Sequence, residues 1–402
     1  MKLVAAIILS VTSLLVPLSF GLAQSFASLL LRINSELNSG RRSATIDSLM
    51  SAIKQFPYIE DSTAYFIYRG DAESVKVVGD FNSWNPTDAP VMTNLVGTNF
   101  FYHRQQFEMD ARLDYKFIVN DTDWTLDPLN PRTIVGGYGP NSELPMPGYV
   151  QPVEVYDNLG IQRGQLTAPD SVFSESLNSI RAFRVYLPPG YETSATCYPT
   201  LYVHDGYDYI SLGSMNLVLD HLIAFEKIEP LIVVFVPPGN RVEEYVGSRM
   251  NEHRIFMAEE LRAHIDTVYR TIDDAGRRAI MGASAGGFSS IYVGFRNPEV
   301  FGLVASQSGY APDSLLDTLR VGPVKPLRFY IDVGTYDLPS FLASNGALRD
   351  SLVSRGYRVE RYQEFHEGHS WGNWRAHLDD VLTTFFPSGR SLHSGSKSNA
   401  PN

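Results

Sequence analysis

Residues 277–295 read Arg-Arg-Ala-Ile-Met-Gly-Ala-Ser-Ala-Gly-Gly-Phe-Ser-Ser-Ile-Tyr-Val-Gly-Phe, and the fold follows from how this stretch must be built. A short apolar run, Ala279 to Met281, meets Gly282-Ala283-Ser284-Ala285-Gly286, and a helical pattern follows. That is the G-x-S-x-G arrangement of strand, sharp turn and helix, with a serine at the corner. Glycines are expected at 282 and 286 because strand and helix backbones approach so closely that a Cβ at either position would collide. The Ser284 hydroxyl then stands clear above a parallel sheet, beside the positive end of the helix dipole. The pattern alone is a weak signal, so the rest of the chain must supply a strand before it, a helix after it and a base.

Around this corner, apolar strands alternate with helical stretches, which implies a mostly parallel sheet with helices on both faces, an α/β-hydrolase arrangement. Strands are expected at 182–187, 199–204, 231–236, 277–282, 302–307, 327–333 and 358–364. Helices are expected at 213–226, 252–270, 285–296, 341–354 and 372–385. Ser284 falls in the middle of this strand order.

A serine hydroxyl needs a base to take its proton, and histidine is the usual one at neutral pH. In this fold the chain order is serine, acid, histidine. His369 lies in Glu367-Gly368-His369-Ser370-Trp371, on a loop at the carboxyl edge of the sheet, the same edge as the corner. His366 competes but belongs to the strand end, His377 reads as a solvated helix face, and His393 lies in the tail. Asp337 follows the strand at 327–333 and reaches the same edge, whereas the alternative, Asp332, sits inside that strand. Two backbone N–H groups must stabilise an oxyanion. Ala285 supplies one, and Tyr207, after His204-Asp205-Gly206, supplies the second. His204 precedes the serine and ends a strand, which favours a structural role.

Upstream the pattern changes. Residues 24–55 show two short helices, with Phe26, Leu29, Leu30, Ile33 and Leu37 in helical register, a break at Ser39-Gly40, and Ile46, Leu49 and Ile53 resuming it. Residues 56–150 carry short β-branched and aromatic runs between turn signals, the pattern of a β-sandwich. Pro145, Pro147, Gly148 and Pro152 mark a stiff linker near 150, and residues 151–387 form the α/β domain. Residues 388–402 read as a disordered tail.

The chain has 402 residues and a net charge of −11, which argues against nucleic acid or an anionic membrane surface as partner. Residues 1–23 carry Lys2, an apolar core from Leu3 to Phe20 and Gly21-Leu22-Ala23, a signal peptide cleaved after Ala23. Export to the periplasm or beyond follows, with no stable membrane span after cleavage. A lone cysteine, Cys197, rules out an intrachain disulfide. There is no H-E-x-x-H, paired cysteine or acidic calcium loop, so neither a metal nor a cofactor is expected.

Two resemblances add to this reading. Val75-Lys76-Val77-Val78-Gly79-Asp80-Phe81-Asn82-Ser83-Trp84, Tyr115 to Asn120 and Asp123 to Pro128 resemble the early-set, glycogen-binding type of immunoglobulin-like sandwich. That resemblance implies a sugar site at Trp84, Lys116, Trp124 and Asn141, since aromatic faces stack on the apolar C–H groups of a pyranose. Such a sandwich also occurs as a purely structural companion. Val185 to Tyr191, His204-Asp205-Gly206, Arg241 to Tyr245, Gly282 to Gly287, Ser306 to Gly309 and Gly368 to Trp374 resemble the esterase family that contains feruloyl esterases, enterochelin-type esterases, S-formylglutathione hydrolases and mycolyltransferases. The resemblance implies a Ser284, Asp337, His369 triad, with His204 standing where an apolar residue is more usual. Asp205, Tyr209, Tyr245 and Trp371, on loops at the catalytic edge, are expected to contact substrate.

The reading is an exported serine carboxylic-ester hydrolase acting through an acyl-enzyme, on feruloyl or acetyl esters of polysaccharide. A catecholate siderophore is the second substrate class, though no arginine cluster beyond Arg241 and Arg249 accompanies the loops. A reading of another class is a glycan-binding protein whose hydrolase half is inert.

Overall fold

The computed structural model describes residues 25–389, apart from 138 and 159. The expected signal peptide at 1–23, His393 and most of the expected tail lie outside the described residues. Within the described part of that tail, the Ser388 N–H donates to Lys227 O at 3.2 Å, so the chain stays attached past 387.

Two helices open the described chain, α1 (Phe26–Ser35) and α2 (Ser39–Ala52). The Asn38 side chain accepts from the Arg41 N–H and caps α2, which draws Ser39 and Gly40 into the helix and moves the expected break to 36–38. Phe26, Leu29, Leu30 and Ile33 of α1 and Ile46 and Leu49 of α2 bury against Tyr65, Ile67 and Phe100. Each such side chain contributes roughly 1.5–3 kcal/mol when fully buried.

Short strands follow: β1 (Tyr58–Glu60), β2 (Thr63–Arg69), β3 (Val75–Gly79), β4 (Thr93–Asn94), β5 (Phe100–Gln106), β6 (Arg112–Val119), β7 (Asp123–Thr125), β8 (Thr133–Gly136) and β9 (Gly139–Pro145). One sheet orders β1-β2-β5-β4, and β3, β7 and β9 pair with β6 in the other. Phe66 and Phe101 from the first sheet pack with Val77, Leu113, Tyr115, Phe117 and Leu144 from the second. The alternation of β6 explains this: Leu113, Tyr115 and Phe117 face this core, and Arg112, Asp114, Lys116 and Ile118 lie on the opposite face of the sheet, where all but Lys116 are buried by other groups.

The α/β part contains β10 (Gln165–Leu166), β11 (Asp170–Ser174), β12 (Ser179–Leu187), β13 (Thr200–His204), α3 (Gly206–Ser211), α4 (Met215–Ala224), β14 (Ile232–Val236), α5 (Arg241–Tyr245) and α6 (Met250–Ile255). It continues through a π-helical turn at Phe256–Leu261, then α7 (Arg262–Val268), β15 (Arg278–Ala283), α8 (Ala285–Arg296), β16 (Leu303–Gln307) and α9 (Asp313–Arg320). It closes with β17 (Arg328–Tyr336), α10 (Pro339–Arg355), β18 (Arg358–Gly368), α11 (Trp371–Ala376) and α12 (Leu378–Phe385).

The strands order β10-β12-β14-β13-β15-β16-β17-β18, antiparallel at β12 and parallel from β14 to β18. This is the mostly parallel sheet expected of an α/β-hydrolase, with β15 between β13 and β16. Ile280, Val304 and Phe329 pack under α6 to α10 on one face. Leu201, Met281, Ala305 and Tyr330 pack under α3, α4, α11 and α12 on the other.

β17 and β18 run longer than expected, to Tyr336 and Gly368, because they pair with each other along their length. β18 then pairs with β6 at Glu367 and Arg112, which joins the α/β sheet to the N-terminal β region. The single helix expected at 372–385 is two, broken at His377.

Candidate active site

Ser284 joins β15 to α8 with φ 56° and ψ −123°, a region rarely occupied by residues other than glycine. Its surroundings hold it there: the Ser284 N–H donates to Gln307 O at 2.9 Å, and the Phe288 N–H donates to Ser284 O at 3.1 Å. A Cβ on Gly282 would lie 2.5 Å from the Gly286 carbonyl carbon, so strand and helix touch there as expected. At Gly286 the reason differs: a Cβ would meet the Asp205 carboxylate at 2.9 Å and His204 at 3.2 Å, residues at the end of β13 rather than the preceding strand.

His369 sits between β18 and α11, with Nε2 2.9 Å from Ser284 Oγ and Nδ1 2.8 Å from Asp337 Oδ1. Asp337 follows β17, is 4% exposed, and its Oδ1 also accepts the Leu338 N–H at 2.7 Å. A carboxylate can only accept, so Nδ1 carries the proton and Nε2 accepts the Ser284 hydroxyl. The rings of Phe341 and Trp374 stand edge-on to the imidazole at 4.9 and 5.0 Å and fix its plane.

The competing residues go elsewhere. Asp332 Oδ2 accepts from Gln307 Nε2 at 3.2 Å and from the Tyr330 hydroxyl at 3.0 Å, and burial pushes its carboxyl up to about 7. His366 lies within β18 with Nδ1 2.7 Å from Asp110 Oδ1. His377 is not on a solvated face. It stacks on Phe365 at 3.3 Å with Nε2 2.7 Å from Glu367 Oε1, and although burial opposes its charge, Asp380 and Glu367 raise it to about 9.

Ala285 opens α8, and Tyr207 lies in the first turn of α3, where backbone N–H groups have no partner within their own helix. Val203 stands opposite Met281, so both helix starts open at the same edge. Gly206 makes this turn possible, since a Cβ there would lie 2.3 Å from Val236 N.

The residues expected to contact substrate are corrected by their burial. Tyr209 and Tyr245 are 0% exposed, the first donating to Gln307 Oε1 at 2.9 Å and the second accepting the Asp205 N–H at 3.0 Å. Trp371 is buried against Tyr209 and Trp374. Asp205 is buried and forked onto Arg241, with both contacts at 2.8 Å. Asp205 and Tyr245 lie against Gly286, and Tyr209 holds Gln307, whose carbonyl accepts the Ser284 N–H. His204 is sealed beneath α8, with Nδ1 2.9 Å from Ser290 Oγ and Nε2 3.0 Å from His253 Nε2, and burial holds it well below the ordinary histidine range.

What opens onto Ser284 is a cleft of about 490 Å³ lined by Val246, Ala285, Phe288, Tyr310, Pro312 and Phe341. Sequence reasoning missed this apolar wall. The available signal was position: Tyr310 follows β16 and Phe341 starts α10, both at the carboxyl edge.

In the N-terminal β region, Tyr115 pairs with Ser142, which sets Lys116 and Asn141 together on the opposite face, and Trp124 joins them through its pairing with Ile118. Trp124 is 47% exposed. Trp84 is tied down, its indole N–H donating to Asp80 Oδ1 at 2.8 Å while its ring packs on Val78, Ala89 and Ile118. Asn141 Nδ2 donates to Asp114 Oδ2 at 3.1 Å. Among the described residues, no group of three or more His, Cys, Asp or Glu is arranged to hold a metal, and no helix is long and apolar enough to cross a membrane.

The family described as "Putative esterase" matches residues 174–385, more than half of the chain. The chain belongs to this esterase family. It is 29% identical over 229 residues to an endo-1,4-beta-xylanase/feruloyl esterase of Xylanibacter ruminicola, an alignment covering 53% of this esterase chain and 30% of that protein. It is 26% identical over 225 residues to the uncharacterized protein YjcH of Bacillus subtilis, covering 52% and 93% respectively. The ferric enterobactin esterase of Salmonella typhimurium shares its fold, with TM-score 0.69 and 19% identity over 84% of this chain and 98% of that one. That likeness in fold extends across most of the chain and takes in the N-terminal β-rich region as well as the α/β part.

Proposed function

We propose that this esterase is an exported serine carboxylic-ester hydrolase that works through an acyl-enzyme on aromatic acyl esters of polysaccharide, feruloyl esters foremost. The observation that carries the reading is the continuous chain from Ser284 Oγ to His369 at 2.9 Å and on to Asp337 at 2.8 Å, at the floor of an apolar cleft. Ser284 Oγ attacks the ester carbonyl carbon as His369 Nε2 takes its proton. The tetrahedral oxyanion is held by the N–H groups of Ala285 and Tyr207, and collapse expels the alcohol, which receives that proton. Water, deprotonated by the same nitrogen, attacks the acyl carbon, and collapse of the second tetrahedral intermediate returns that proton to Ser284 Oγ as the acid leaves. Export rests on residues 1–23, and the division between the two parts is placed near 150.

A flat, uncharged acyl group suits a cleft walled by Phe288, Tyr310 and Phe341. The feruloyl esterase activity named for the Xylanibacter relative supports the same choice. A trianionic ferric siderophore would want converging cations, and Arg241 at this edge is paired with Asp205. Purified mature protein is expected to hydrolyse p-nitrophenyl acetate and to prefer methyl ferulate over acetylated xylan and ferric enterobactin. Ser284→Ala should lower kcat at least about a thousandfold. Hydrolysis that survives this substitution removes Ser284 as the nucleophile.

A further inference from the structure

We infer that Arg112, on the N-terminal β region, is a positioning residue for the histidine that serves Ser284. This inference rests on the reading of Ser284 and His369 proposed above.

Arg112 is 0% exposed, and its guanidinium lies across the junction between the two parts of the molecule. Nε donates to Glu143 Oε1 at 2.6 Å, and Nη2 pairs with Asp114 Oδ1 at 2.8 Å. Burial opposes its charge, but Asp114, Glu143 and Glu367 together hold the charged form firmly. The remaining arm crosses to the other part of the chain, where Nη1 donates to Ser370 Oγ at 3.2 Å. The plane of the group lies against the Gly372 backbone, where a Cβ would fall 1.9 Å from Nη1. On the other side of His369, the Asp80 carboxyl occupies the space where a Cβ of Gly368 would stand, 2.0 Å from its carbon. His369 is thus flanked by two residues whose missing or short side chains admit groups from the N-terminal β region.

An isolated loop after a strand would let the imidazole drift. Its Nε2 must stay within hydrogen-bond reach of Ser284 while Nδ1 faces Asp337, and an error of about 1 Å in such an arrangement can cost a hundredfold in rate. A buried guanidinium fixed by two carboxylates, Asp114 on its own strand and Glu143 on the neighbouring β9, is a rigid anchor, because its fork cannot turn without abandoning an ion pair in a buried site. Arg112 does not line the substrate cleft or touch the reacting atoms, so it acts on His369 through its neighbours, Glu367 in the ladder and Ser370 and Gly372 on the loop.

The test uses the full mature chain, with kcat and KM for p-nitrophenyl acetate measured separately and the folded fraction followed by far-UV circular dichroism. Arg112→Met should lower kcat about ten- to hundredfold with KM within twofold of wild type. Arg112→Lys, which keeps the charge but not the fork, should recover part of that loss. Ser370→Ala and Gly372→Ala approach the same contact from the loop side and decide the matter if Arg112→Met does not fold. Each should lower kcat about tenfold at unchanged KM. Wild-type kcat in folded Arg112→Met, or in both loop-side variants, overturns the inference, as does a kcat loss that merely tracks the unfolded fraction. Ser284→Ala separates the two readings. If it stays active the proposed site itself is wrong, whereas an inactive Ser284→Ala beside a fully active Arg112→Met overturns only the role of Arg112.

Discussion

Asp337 is an acceptor at both of its described contacts, His369 Nδ1 and the Leu338 N–H, and this fixes what an amide in its place would do. Asp337→Asn can present an N–H to the imidazole, which then offers a protonated Nε2 to Ser284 and cannot take its proton. The expected result is a fall in kcat of roughly a thousandfold or more with the fold intact, read by ester hydrolysis alongside a near-UV spectrum. Retained activity would remove Asp337 from the chain of proton transfer. That Ser284, Asp337 and His369 would meet was legible in the sequence because each stands just past a strand, and parallel strands end at one edge. Tyr209, Tyr245 and Trp371 were misread because residue type does not give direction. Phe341 and Tyr310 were missed because they meet only when α10 folds back over the loop after β16, with their rings 5.3 Å apart.

The break between α11 and α12 belongs to His377, which a helical pattern alone reads as one more exposed turn. Its ring lies flat on Phe365 of β18 and pairs with Glu367, so an ion pair inside the fold replaces a turn in water. Held at about 9, this histidine is protonated more readily in the folded chain than in the unfolded one. Its contribution is therefore complete below the ordinary histidine value of about 6.5 and is lost as pH rises through about 9. The stability difference between wild type and His377→Asn should shrink by up to about 2–3 kcal/mol from pH 6 to pH 9.5, measured by urea unfolding. A difference that stays flat with pH excludes this account. The longer helices and the apolar strands were readable from helical spacing and apolar runs, while α3, α5 and β10 carry too few residues to display a period and β11, as long as β14, is mostly exposed.

Across the whole molecule, the ester site and the outer face of the N-terminal β region are separate surfaces of one chain. With Trp84 held by Asp80, the aromatic residue available to a sugar ring on that face is Trp124, beside Lys116 and Asn141. Trp124→Ala should weaken retention on a xylan affinity gel and leave kcat for p-nitrophenyl acetate unchanged. Unaltered retention would assign this face a purely structural role. The two architectures were legible separately, from short strands before 150 and strand-helix alternation after it, but their junction was not. It depends on one ladder pair, Glu367 with Arg112, on side-chain contacts such as Arg112 with Ser370 and His366 with Asp110, and on groups packed into spaces left by glycine. That ladder contact has a practical corollary for anyone building chimeras. Cutting away the first third of the protein to obtain a minimal catalyst would uncover β18 at Glu367 and take Arg112 from beside the loop that carries His369, leaving His377 as the partner of the buried Glu367. The shortened enzyme should therefore turn ester over more slowly than the whole chain.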